Sequence, residues 1–230
     1  MKDGFVKAAA ASPVIKVADA EYNAQQVIKC MAAAREKGVK LLVFPELTLT
    51  GCFCYDLVGH RVLLEGAAAA LEKVVKASEG TDMLVLVGLP YAFGSRLLSC
   101  AAVVYDGALL ALIPRENVAG SRFADYPGEG ELVYVGALET ELCPGRSLNG
   151  LTVAVELGAD VTAADSPTAY YAQSGATVIA QMASFPATVS STDDALLAAR
   201  YESKRFACGL VLAAPGKGES TTYNVWSGLC

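Results

Sequence analysis

A chain of 230 residues with 53% apolar and only 18% charged side chains can bury one sizeable core, so a single compact domain over residues 1–230 is expected. Its formal charge of −6 includes no basic block, which argues against nucleic acid or an anionic membrane surface as partner and leaves a small polar molecule or another protein. No apolar run reaches the ~18 residues of a membrane helix, and Asp3 and Pro13 interrupt the N-terminal stretch, so the chain reads as cytoplasmic.

In chain order, FVKAAAA (5–11) reads as a strand. Residues 20–37 carry Val27, Ile28, Met31 and Ala34 at helical spacing and stop at Gly38, a favoured residue just past a helix end. KLLVF (40–44) is a strand. Residues 61–78 form a helix with Val62, Leu63, Ala67, Leu71, Val74 and Val75 on one face, and MLVLVG (83–88) is a buried strand. LLSCAAVVY (97–105) and ALLALIP (108–114) flank Asp106-Gly107, which predicts an antiparallel hairpin. The stretch 115–150, rich in glycine, proline and polar residues, reads as loop with one short strand at 132–135. Further strands are expected at 151–157, 177–181 and 209–214, helices at 166–174 and 191–207, and a last edge strand at 222–228. Alternating strands and helices with an inserted hairpin give mixed sheets covered by helices. The strands are apolar nearly throughout, which suits an α/β fold of α-β-β-α sandwich type, two mixed sheets packed together with helices on the outer faces.

Seven cysteines, an odd number with irregular spacing, suit reduced thiols better than a disulfide framework. Cys52, Cys54 and the lone His60 lack the fourth ligand and the spacing of a metal cluster, so neither metal nor cofactor is expected.

Four stretches carry a family resemblance: 5–28, KGVKLLVFPELTLTG (37–51), DMLVLVGLP (82–90) and GLVLAAPGKGESTTYNVWSG (209–228). Together they resemble the nitrilase (carbon–nitrogen hydrolase) superfamily, and within it the glutaminase domain of glutamine-dependent NAD synthetase. The resemblance implies a Glu, Lys and Cys triad. The thiol attacks an amide, the acid serves as base, and the lysine steadies the oxyanion, because a thiol with a pKa of about 8.5 needs a nearby base and developing charge needs a fixed cation.

Glu46 matches the base position. LIPRENV puts Arg115 at the lysine position, a change that keeps charge but alters geometry. VAVELGADV puts Gly158 at the cysteine position and Ala159 where an acid follows, leaving Asp160. The stretch before Arg122 and Phe123 that would cover a substrate is short. Asp160, Tyr91 and Ser184 are expected to line the pocket, and an ion pair between Glu46 and Arg115 is one way to keep the acid ionised.

The resemblance therefore implies a domain whose glutamine hydrolysis is impaired and which acts by assembly or interaction, as a pseudoenzyme. Its expected partners are a second copy in a back-to-back dimer, a synthetase domain or subunit, and a small glutamine-like amide or acid ligand. The alternative is an active amide hydrolase that uses Glu46 with a displaced thiol or an activated water.

Overall fold

The computed structural model describes residues 5–143, 152–158, 160, 166–221 and 224–230. Ten strands and four α-helices are present among them: β1 (Ala8–Ala10), α1 (Ala20–Glu36), β2 (Leu41–Val43), α2 (Arg61–Ala77), β3 (Leu84–Phe93), β4 (Arg96–Tyr105), β5 (Ala108–Pro114), β6 (Glu131–Val135), β7 (Leu138–Leu142), β8 (Val153–Gly158), α3 (Thr168–Gln173), β9 (Val178–Ala183), α4 (Ser191–Phe206) and β10 (Gly209–Ala213). Seven strands form one mixed sheet in the order β1-β2-β3-β4-β5-β7-β6, and three parallel strands form a second in the order β10-β9-β8.

The layers follow from which residues each strand buries. Leu42 and Phe44, with Val85, Val87 and Leu89 of β3, pack against Val27, Met31, Leu71 and Val74 of α1 and α2. Their alternates Leu41, Val43, Leu84 and Leu86 turn the other way and meet Val153, Val155, Ala180 and Met182 of the small sheet. Ala154 and Ile179 then face Tyr171 of α3 and Cys208 on the far side. Period-two alternation with both faces apolar is what makes the strands read as continuous hydrophobic runs, and the result is the α-β-β-α sandwich expected.

Local chemistry sets the element ends. Asp19 accepts from Tyr22 N at 3.0 Å and caps α1. Asp106 and Gly107 both have positive φ, the geometry of a two-residue hairpin turn between β4 and β5.

Three expectations need correction. Val62 points to solvent at 80% exposure while Ala70 takes its place in the core face of α2. Among its described residues, 115–143, the stretch 115–150 contains two strands: β7, LETEL, pairs antiparallel with β6 after a turn at Gly136 and joins the sheet beside β5. Its acidic residues hid the alternation of Thr140 and Leu142, the two that point inward. Residues 224–228 form no strand; their backbone instead bonds singly to loops, as Val225 O accepts from Ala187 N at 2.7 Å and Gly228 N donates to Pro215 O at 2.8 Å. Residues 222–223, the remainder of that expected strand, and Ala159 lie outside the described residues.

Candidate active site

Glu46 stands where β2 leaves the large sheet. Phe44 N still donates to Leu86 O, and then Glu46 N crosses to Ala183 O at the end of β9, at 3.2 Å, so the acid sits where the two sheets meet. A tight turn follows, with Thr50 N and Gly51 N both donating to Leu47 O. This turn lies directly on β3 at Gly88: a Cβ there would approach Leu47 N to 2.3 Å and the Glu46 carbonyl carbon to 2.8 Å. The glycine in VGLP is thus what allows the Glu46 turn to cross the strand.

The carboxylate is 1% exposed. Ser99 Oγ of β4 donates to Oε1 at 2.6 Å, and Ser184 donates to the same group. Arg115 Nη1 lies 3.5 Å from Oε1, forming an ion pair in which the two side chains are 10% and 1% exposed. At that separation charge attraction outweighs directional hydrogen bonding. Burial raises the Glu46 pKa, and Arg115 and the two serines oppose the rise.

Arg115 is fixed from behind. Its backbone N donates to Ser99 O at 2.9 Å as β5 ends, and its Nε donates to Asn117 O at 2.8 Å. Asn117 N in turn donates to Asp160 at 3.1 Å, as does Leu157 N. Asp160 is buried and anchors the turn that aims the guanidinium; burial raises its pKa, and those donors and Arg115 oppose the rise.

Gly158 ends β8 with φ +63°, paired with Ala183. A Cβ placed on it would lie 2.5 Å from Arg115 Cζ, 2.6 Å from Nη1 and 2.8 Å from Nε. The guanidinium therefore fills the space that a side chain at 158 would occupy, and the same guanidinium holds Glu46. The three positions identified in the sequence converge on one point.

Beside them opens a cavity of about 350 Å³, lined by Glu46, Arg115 and Ser184 and walled by Phe53, Tyr55, Phe123 and Trp226, with Arg122 also at its wall. Ser184 thus belongs to the site, and Asp160 supports it from behind. Tyr91 does not join them. It lines a separate depression of about 430 Å³ between α2 and the β6–β7 turn, and its hydroxyl donates to Tyr134 O. Tyr91 follows Pro90 by one residue, and the strand alternation that carries Ser99 to the acid directs it elsewhere.

Ser99 escaped the sequence reading, and Cys52 and Glu219 were not counted among its site residues. Ser99 lies inside an apolar strand, and only the hairpin register places it opposite Pro90 and one residue from the end of β5. Cys52 lines the cavity and donates its thiol hydrogen to Glu46 O at 2.9 Å; burial, then Glu219 and Glu46, push its pKa well above the ordinary thiol value. Glu219, in the GKGES turn, is 2% exposed and accepts from Cys52 N at 2.9 Å, so it props the loop that carries Cys52 and Phe53; burial pushes its pKa to about 7. The buried acid in a glycine-flanked turn was the signal available.

The family model for carbon–nitrogen hydrolases matches residues 7–214. This chain belongs to that family. A carbon–nitrogen hydrolase domain accounts for the sandwich. Among curated relatives, the glutamine-dependent NAD(+) synthetase of Mycobacterium tuberculosis is 34% identical over 237 residues, covering 98% of this chain and 35% of the relative. The corresponding protein of Mycobacterium leprae is 31% identical over the same shares. The chain thus spans about a third of the length of these relatives. A glutamine-dependent NAD(+) synthetase from Cytophaga hutchinsonii shares the fold at a TM-score of 0.80 and 17% identity, over 97% of this chain and 38% of that one. An amidase from Nesterenkonia sp. AN1 shares it at 0.72 and 16%, over 98% and 81%.

Proposed function

We propose that this carbon–nitrogen hydrolase domain, related to the glutaminase domain of NAD synthetase, does not cleave amides by the family's thiol route and acts instead by assembly, with a second copy or with a synthetase-type domain. The observation that carries the reading is the overlap at position 158. The family mechanism calls for a sulfur there, and the glycine at that position leaves a space filled by the Arg115 guanidinium. Glu46 is the base position with no attacking atom at 158 and its carboxylate already occupied by Ser99 and Arg115. Amide cleavage needs nucleophile, base and oxyanion donor to be free for substrate together.

The outer face of the small sheet supports assembly. α4 buries only Ala195, while Leu197 and Tyr201 are 69% and 58% exposed, and Tyr170 of the adjoining α3 is 71% exposed. Large apolar side chains gathered on one helical layer mark an interaction surface. Ammonia release from glutamine and from simple amides is the test. The purified chain is expected to give none above background, and robust release overturns the reading.

Cys52 favours a second reading, an amidase with a displaced thiol, because it shares the cavity with Glu46. Its raised pKa and its bond to a backbone carbonyl work against it. Fast, selective iodoacetamide labelling of Cys52 with loss of amide turnover would establish that reading, and uniformly slow thiols would remove it.

A further inference from the structure

The cavity at Glu46 has an imbalance of donors and acceptors. The wall offers one carboxylate, and Glu46 Oε1 already accepts from Ser99 and faces Arg115, with Ser184 donating to the same group. Donors remain in surplus. Arg115 commits Nε to Asn117 O and Nη1 to Glu46, while its Nη2 donates to none of the described residues. Arg122 lines the same cavity, is exposed, and makes no ion pair among the described residues.

An amide ligand needs an acceptor for its N–H₂ group as well as a donor for its oxygen; a carboxylate needs donors alone. With Glu46 already facing three donors and guanidinium N–H groups left over, the pocket suits a carboxylate better than an amide. A guanidinium fork also suits the planar carboxylate geometry better than a single ammonium does. The remaining wall is aromatic. Phe53 packs edge-on to Tyr55 with centroids 4.5 Å apart and to Trp226 at 6.3 Å, and Phe123 completes that side. Such rigid rings favour a flat apolar body between them.

We infer that this cavity binds, without turning it over, a small monocarboxylate with a flat apolar body, its carboxylate held by Arg115 and Arg122 and its body set among Phe53, Tyr55, Phe123 and Trp226. The inference rests on the non-hydrolytic reading of the site and adds its ligand class: the hydrolase pocket has become a receptor for the acid.

Benzoate and benzamide, equal in shape and different only in the group that Arg115 meets, are the probes. Calorimetric titration of the whole chain is expected to give benzoate an affinity at least about tenfold above that of benzamide. Glu46→Gln removes the carboxylate that competes for Arg115 and is expected to tighten benzoate severalfold. Arg122→Gln, at an exposed position that leaves the fold intact, is expected to weaken it severalfold. Arg115→Gln is expected to abolish binding, with circular dichroism reporting whether the variant folds. Equal affinity for the two probes, no benzoate binding at millimolar concentration, or unchanged affinity in both Glu46→Gln and Arg122→Gln overturns the inference. Ammonia measured in the benzamide samples separates the two claims: turnover defeats the non-hydrolytic reading, whereas absent turnover with no preference for benzoate defeats only the ligand class.

Discussion

Glu46 and Gly158 meet the same guanidinium from opposite sheets, and their surroundings differ in kind. Glu46, which leaves the large sheet, is held by parts of both: Gly88 of β3 leaves room for its turn, Ser99 Oγ of β4 donates to its carboxylate, Ala183 O at the end of β9 accepts from its backbone N–H, and the Cys52 thiol donates to its carbonyl. On the small-sheet side Gly158 contributes only backbone and an empty Cβ direction, which Arg115 occupies. The contrast shows which of the two positions is tied into the fold. An acid woven into a buried network is costly to remove, because its partners would be left unsatisfied. Position 158 offers no side chain to such a network, and the Arg115 guanidinium fills the space beside it.

The strongest way to break this comparison is to remove the group that both sides share. Arg115→Met leaves Glu46 buried without its cation and is expected to cost roughly 3–5 kcal/mol in urea denaturation. Adding Glu46→Gln to that variant should recover much of the loss, since replacing both members of a buried pair is far less costly than removing one. If the two substitutions prove additive, the ion pair does not hold the site together. The pair is buried at 10% and 1% exposure, so screening by salt should change the result little.

Glu219 tests the same network from the loop behind it. Its pKa rises from an ordinary 4.5 to about 7 because burial disfavours the charged form. The folded protein therefore keeps a proton between those values that the unfolded chain has lost, and stability falls as pH rises from about 4.5 to 7. The gap, at about 1.4 kcal/mol for each pH unit, amounts to ~3 kcal/mol. Glu219→Gln removes that fall. The variant and its parent should be close in stability below pH 4.5 and differ most above pH 7, the variant being the more stable, as measured by denaturation across the range. A constant difference at every pH would show that Glu219 is not the titrating group.

Placing a sulfur at position 158 sharpens the comparison further. Gly158→Cys alone places a Cβ about 2.5 Å from the Arg115 guanidinium at a residue with φ +63°, so it is expected to destabilise by roughly 1–3 kcal/mol and to gain no amidase activity. Combined with Arg115→Lys, whose slimmer end vacates that space, the cysteine should recover most of the stability. The double variant is also expected to show measurable ammonia release from glutamine where neither single variant does. Activity in the Gly158→Cys protein alone would mean that Arg115 moves aside freely and that its guanidinium does not block a thiol at 158.

Much of this arrangement was legible in the sequence, and unevenly so. The helices at 20–37 and 61–78 and the hairpin at Asp106-Gly107 follow from local periodicity and turn chemistry, which a chain displays in one dimension. Family resemblance located Glu46, Arg115 and Gly158, but their meeting depends on β2, β5 and β8 arriving at one corner, a property of sheet order. Tyr91 lines another depression for the same reason: nothing local in the sequence says which side of β3 its ring leaves from. The strand β7 was missed because its glutamates alternate with only two buried residues, Thr140 and Leu142, too short a pattern to outweigh its charge. Ser99 gave no signal at all, since one hydroxyl inside an apolar strand looks like any tolerated serine until the hairpin register is known.

The smallest effect on folding is expected at the surface where the two sheets also differ. The large sheet is covered by α1 and α2, which bury Val27, Met31, Leu71 and Val74; the small sheet is covered by α3, which buries Thr168 and Tyr171, and by α4, which buries one alanine and leaves Leu197 and Tyr201 in solvent. In the assembly proposed above, the exposed apolar side chains of α4 are the contact. Leu197→Lys should therefore change the chain's unfolding free energy by no more than about 0.5 kcal/mol, as for other exposed positions, while shifting any oligomer seen by light scattering toward monomer. The matching change on the other layer, Val62→Lys at the 80%-exposed position of α2, should leave the oligomer as it was. If both variants behave alike, the exposed apolar residues of α4 are ordinary surface, and assembly must be sought on another face.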